Sequence, residues 1–208
     1  MSPVRHTALF VWAEGTTEEQ KVRAKEGVAY CAFGSDVSSF DFGEDVGLAP
    51  SRHGFALQHD HADRANWDAY NENEAHARAG AFLKSVTRPE LAARVDWIYD
   101  GPVSARGAVR HLALYRWNEA AGVRERSDAL AAVRALQESC PSVAALEIGA
   151  DLGWYPPNYD WVVEAHFADL AGVAEFNEHP ARLEAEQLAA AATQADLTAR
   201  VQFRMLAG

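Results

Sequence analysis

The sequence predicts an α+β fold: two ferredoxin-like β-α-β-β-α-β repeats that close on each other as a single-chain, pseudo-dimeric α/β barrel. Three observations predict it. First, Val4-Arg5-His6-Thr7-Ala8-Leu9-Phe10-Val11-Trp12 is echoed by Val109-Arg110-His111-Leu112-Ala113-Leu114-Tyr115-Arg116-Trp117, with six of nine positions identical at an offset of 105. Second, the offset becomes 106 further along. Gly43, Asp45 and Gly47 return as Gly149, Asp151 and Gly153, Asn71-Glu72 returns as Asn177-Glu178, and Leu91, Ala93, Arg94 and Val95 return as Leu197, Ala199, Arg200 and Val201. A period of this length is too long for a solenoid unit and matches a small domain, so the repeats are read as residues 1–101 and 108–208. Third, a four-stranded sheet with helices on one face leaves its other face in need of cover, and a tandem chain brings a second such sheet at high effective concentration.

Each element has its own signal. Residues 5–12 are an apolar, β-rich run that reads as a strand. Thr16-Thr17-Glu18-Glu19 supplies capping hydroxyls followed by acids, the start of a helix that runs to about Phe33 and stops at Gly34. Residues 37–46 read as a second strand, ended by a turn at Gly47 and Pro50, and Phe55 opens a third. Asp63 is placed to cap one long helix reaching about Ser85, and residues 95–99 form the last strand. The second repeat follows suit, with a strand at 109–117, a helix at 121–139, strands at 143–151 and 159–167, a helix at 169–192 and a strand at 198–205. A short, turn-rich linker covers 100–108.

Composition narrows the partners. Hydrophobic residues make up 49% of the 208-residue chain and aromatics 10%, enough for a packed core. The formal net charge of -11 provides no basic stripe to neutralise phosphates, so neither nucleic acid nor an anionic membrane is expected as a partner. No apolar run reaches the ~18 residues of a membrane span, and the opening Met1–His6 lacks the layout of a signal peptide. With two cysteines, Cys31 and Cys140, no disulfide framework is encoded, and both are read as core thiols. A reducing, cytoplasmic setting is expected, with a small molecule as partner; association of two such chains stays open.

The Arg-His-x-Ala-Leu of strand one, the Gly-x-Asp after strand two and Tyr70…His76 resemble the stress-responsive A/B barrel (Dabb) family of dimeric α/β barrels, once per repeat. The family's helix carries Tyr-x-x-His-Pro-x-His. The first repeat, Tyr70-Asn71-Glu72-Asn73-Glu74-Ala75-His76, keeps the Tyr and the last His; the second, Phe176-Asn177-Glu178-His179-Pro180-Ala181-Arg182, keeps the His-Pro. Within the family the resemblance extends to polyketide cyclases of the olivetolic acid cyclase type, which need no cofactor or metal. It implies catalytic roles for Tyr70, His76 and His6, and it places Phe55 where such cyclases have a further His.

The residue types support that chemistry independently. On one continuous helix a spacing of six subtends roughly 600°, so Tyr70 and His76 would lie ~120° apart around the axis and ~9 Å along it, bordering one cavity without touching. A neutral His suits removal of a proton from carbon between two carbonyls, and a Tyr hydroxyl suits the enolate that develops. Strand alternation puts His6, Ala8 and Phe10 on one face, and Phe55, Leu57, His59 and His61 on one face of strand three. Phe10, Phe55, Leu57 and His59 are therefore candidate substrate contacts, as are His111, Trp161 and Arg182 in the second repeat. There Tyr115 adds an aromatic ring, and the guanidinium could hold a carboxylate or phenolate. His59 and His61, with His53 nearby, could share a metal, but no third ligand has recognisable spacing, so none is assigned. Three functions remain open: a cofactor-free cyclase or lyase acting on a polyketide-like or aromatic carbonyl compound, a non-catalytic ligand-binding or stress protein, and a cofactorless oxygenase. The division of the motif between the copies favours the first repeat as the active one.

Overall fold

The computed structural model describes residues 3–33, 37–101, 108–155 and 158–205. The predicted helix stop at Gly34 and linker residues 102–107 lie outside them. Among the described residues the first repeat runs β1 (Val4–Phe10), α1 (Glu18–Phe33), β2 (Ser39–Glu44), β3 (Phe55–His61), α2 (Arg64–Asn71), α3 (Glu74–Val86) and β4 (Ala93–Ile98). The second runs β5 (Val109–Tyr115), α4 (Val123–Ser139), β6 (Ala145–Ala150), β7 (Trp161–Phe167), α5 (Leu170–Glu178), α6 (Pro180–Ala192) and β8 (Ala199–Arg204). Each repeat forms an antiparallel sheet, in the orders β2-β3-β1-β4 and β6-β7-β5-β8. The helices α1 and α3 pack over the outer face of the first sheet, and α4 and α6 over the second.

Local chemistry explains the helix starts. Thr17 Oγ1 accepts from Gln20 N at 3.2 Å while Gln20 Oε1 accepts from Thr17 N at 2.8 Å, a reciprocal cap. Asp63 caps α2 as expected, accepting from Asn66 N at 2.9 Å. The single long helix predicted after it does not form. The chain breaks at Glu72–Asn73, where extended Asn73 takes the Ala75 N–H at 2.8 Å and caps a new helix. The matching helix of the second repeat breaks at His179, with Pro180 at the first helical position of α6.

The two sheets face each other across a core of Leu9, Val95, Trp97, Leu114, Val162 and Phe203. Their edges are joined twice, related by a pseudo-two-fold axis. Val46 N donates to Gln202 O and Leu152 N to Asp96 O, both at 2.7 Å. The repeated Gly-x-Asp-x-Gly is the clasp. Asp45 accepts from Gly47 N at 2.9 Å and, across the interface, from Gln202 N at 2.8 Å; Asp151 does the same for Gly153 N at 2.8 Å and Asp96 N at 2.9 Å. The first glycine of each motif is dictated by close approach: a Cβ on Gly43 would stand 2.7 Å from Phe203 Cδ2, and one on Gly149 only 2.1 Å from Trp97 Cε3.

One end of the space between the sheets is polar. Arg5 is held bidentately by Asp60 at 2.6 and 2.7 Å and donates to Glu164 at 2.7 Å, with its guanidinium 3.3 Å from the Tyr99 ring centroid. The fully buried Glu164 also accepts from Gln58 at 2.7 Å and lies 3.1 Å from Arg110 Nε and 2.9 Å from His166 Nε2. Arg110 donates in turn to Gln58. Two guanidiniums flanking Glu164 hold its carboxyl far below the usual range although burial pushes it up.

Candidate active site

A cavity of about 460 Å³ opens between the first sheet and its helices, a size suited to a small organic ligand. Ala8, Phe10, Val28, Leu57 and Leu83 make its apolar wall. Its polar wall comes from strand register: His6 on β1 stands opposite His59 on β3 and Asp96 on β4. All three side chains face the helices, as alternation from the barrel-facing Thr7, Gln58 and Trp97 requires.

Hydrogen bonding fixes the tautomers. A carboxylate only accepts, so His6 donates Nδ1–H to Asp96 Oδ1 at 2.7 Å and keeps Nε2 as its basic nitrogen. His61 donates Nδ1–H to Asn66 Oδ1 at 3.2 Å, which makes its Nε2 the acceptor for His59 Nδ1–H at 2.6 Å. His76 donates Nδ1–H to the Asn71 carbonyl at 3.2 Å. His6, His59 and His76 line the cavity, and each has Nε2 as its basic atom. Burial holds His59 well below the ordinary His range, reinforced by the neighbouring imidazoles, and burial also lowers His61 and His76. Burial raises Tyr70 above the usual phenol range, so it remains an O–H donor.

The helix break brings Tyr70 and His76 closer than the sequence predicts. They sit on successive helices, and their rings are 4.8 Å apart rather than separated along one axis. Tyr70 also lies 4.5 Å from the His59 ring, and His59 stacks on His6 at 4.8 Å. The three residues expected to be catalytic thus surround one cavity, together with His59, Phe10 and Leu57. Phe55 does not reach it; this fully buried ring packs behind, against Phe10 and Trp12.

The second repeat also departs from expectation. Its equivalent space is only about 30 Å³. Trp161 does not line it but stacks between Tyr115 at 4.2 Å and Trp117 at 5.1 Å. Arg182 does line it, paired to Glu186 at 2.7 Å. His111 occupies the place of His6, but its Nδ1 accepts from Gln202 Nε2 at 3.1 Å, which puts the ring proton on Nε2. Burial and two nearby arginines hold His111 down to about 3. At the places of His59, His61 and Tyr70 stand Ala165, Phe167 and Phe176.

Several contributors were missed in the sequence. Asp96 is the chief one; its signal is an acid on the helix-facing side of an apolar strand, in a position that costs too much free energy to bury without a partner. Asn158 and Tyr155 reach the cavity from the β6–β7 loop of the other repeat, and Asn158 donates to Asp96 Oδ2 at 3.2 Å while Asn71 donates to Tyr155 Oη at 2.9 Å. His53 lies elsewhere, its Nε2 3.1 Å from the Leu91 carbonyl, and Asp60 points to the opposite face toward Arg5. Among the described residues no group of three or more His, Cys, Asp or Glu is arranged to hold a metal ion, and no helix is long and apolar enough to cross a membrane. Both cysteines are buried, with Cys31 in the cavity wall.

Comparison with known proteins agrees with this architecture. Residues 109–199 match the profile of the family described as Stress responsive A/B Barrel Domain. An anthrone oxidase-like protein superposes over 100% of this chain and 92% of its own, with a TM-score of 0.74 at 11% identity. A candidate monooxygenase from Fusobacterium nucleatum covers 99% of this chain and 93% of its own, with a TM-score of 0.65 at 11% identity. At such identities these two share the fold. No curated protein matches the chain.

Proposed function

We propose that, in a chain whose residues 109–199 match the profile of the stress-responsive A/B barrel domain, the first repeat is a cofactor-independent acid–base catalyst. It removes a proton from an activated carbon of a polyketide-like or aromatic carbonyl compound and closes a ring by aldol or Claisen chemistry, or performs a related lyase step. The observation that carries the reading is the set of three imidazoles, His59 buried and His6 and His76 half-buried, with Nδ1–H committed to other groups, beside a phenol that stays protonated. In this reading His6 or His76 accepts the carbon-bound proton at Nε2, and the Asp96 carboxylate faces the positive charge that forms on His6. Tyr70 donates to the enolate oxygen, in an apolar cavity where such a bond is strong. The domain division at 1–101 and 108–208 belongs to the same proposal, with the second repeat as the supporting half.

A mass-spectrometric assay over poly-β-ketone and aromatic substrates, with O₂ uptake followed in parallel, tests this. Wild type is expected to release a cyclised or cleaved product without consuming oxygen, and His76→Ala and Tyr70→Phe to lose about 10²-fold or more in rate. Oxygen uptake coupled to turnover would instead favour an oxygenase. Absence of turnover on every substrate would leave a binding protein.

A further inference from the structure

The cavity wall contains a cation without its counter-charge, and the second repeat shows what the counter-charge looks like. Arg94 and Arg200 occupy the same register, opposite Ala8 and Ala113 on their central strands. Arg200 is neutralised from within the chain: its Nη2 lies 2.5 Å from Glu186 Oε1, and the other oxygen of Glu186 takes Arg182 at 2.7 Å. Glu186 and Arg200 both line the small void of that repeat. The helices α3 and α6 correspond residue for residue, and the place of Glu186 is taken in α3 by Gly80. Gly80 lines the large cavity, and a Cβ built there would meet nothing within 4 Å.

Arg94 also lines that cavity. Among the described residues no carboxylate stands within ion-pair distance of it. Asp96, the nearest acid on its strand, is committed through Oδ1 to His6 and through Oδ2 to Asn158. Burial lowers the Arg94 pKa, with Asp96 only opposing the effect from a distance. A guanidinium does not lose its proton in a protein, and Arg94, whose Cζ lies 5.9 Å from the Phe10 ring centroid, is a half-buried charge without a counter-ion, which is costly. Its natural complement is a planar carboxylate.

We propose that the first cavity binds a ligand bearing a carboxylate, seated on Arg94 in the space that the Glu186 carboxylate fills in the second repeat. This rests on the acid–base reading of the same cavity and narrows its substrate or product to a carbonyl or phenolic acid. Calorimetry on the full chain with 3-hydroxy-2-naphthoate and its uncharged carboxamide tests it apart from turnover. Wild type is expected to bind the acid at least tenfold more tightly than the amide. Arg94→Gln should erase that preference, and Gly80→Glu should erase it by supplying an internal carboxylate, with each variant's fold checked by its thermal transition. Glu186→Gln, in the other repeat, should leave it unchanged. His76→Ala should also keep the preference, so loss of turnover and loss of anion recognition are read separately. Equal affinity for acid and amide in wild type, failure of the acid to bind at millimolar concentration, or a preference that survives both Arg94→Gln and Gly80→Glu would overturn the assignment.

Discussion

His6 donates its Nδ1 proton to Asp96, whereas His111 at the matching position receives a hydrogen bond at Nδ1 from Gln202. One neighbour therefore decides whether the ring turns a lone pair or a proton toward its cavity, and the second repeat is a natural Asp-to-Gln replacement of the first. Introducing Asp96→Gln should invert the His6 tautomer and lower kcat about 10²-fold or more, while binding of a product-like ligand, followed by calorimetry, changes little. Unchanged kcat would remove His6 from the mechanism. The working form of His76 is neutral, and its pKa is lowered by burial. Turnover should accordingly hold at and above pH 6.5 and fall only as acid protonates the imidazole, which a pH–rate profile would show. At this scale the family resemblance singles out Tyr70, His76 and His6, and strand alternation adds His59; the structure places all four around one cavity. Asp96 was not legible in the sequence, because its role depends on pairing with a strand some ninety residues away.

The break between α2 and α3 sets the geometry of the site at the next scale. No proline or glycine marks it in the sequence; the clue is Asn73, a residue better suited to capping than to a helix interior. Its side chain starts α3 one turn before His76, and the His76 ring is anchored on the last residue of α2. Asn73→Ala should destabilise the fold by ~1 kcal/mol, measured by urea denaturation, and should reduce turnover beyond what that loss of stability explains. A variant with normal kinetics would show that the cap has no part in placing His76. Strands, helix starts and the order of elements were readable because each rests on local chemistry. The filled state of the second cavity was not, since stacking of Trp161 between Tyr115 and Trp117 is a matter of packing in three dimensions.

Over the whole molecule, the repeats are bonded by paired Asp–Gly clasps and a buried charge cluster centred on Glu164. Glu164→Ala would leave Arg5 and Arg110 facing each other without their shared anion, and an unfolding titration should register a loss of about 3–5 kcal/mol. Acid should act in the same direction. Burial holds folded His53 down to about 4 and His111 to about 3, against 6.5 when exposed. The unfolded chain thus binds more protons, and the stability from these neutral rings is full above pH 6.5 and lost as pH falls toward those values. The lowered Glu164 adds a further loss below 4.5, its ordinary value. A urea midpoint that stays constant from pH 7 to 4.5 would contradict this. The clasp also carries the β6–β7 loop of the second repeat over the first cavity, where Asn158 touches Asp96 and Tyr155 touches Asn71. In a homodimer every mutation is written twice, so filling one pocket fills both and any change to a covering loop alters each site alike. Fusion lifts that rule: one half can give up its own chamber, harden into a buttress, and still supply part of the wall through which its sibling meets the ligand.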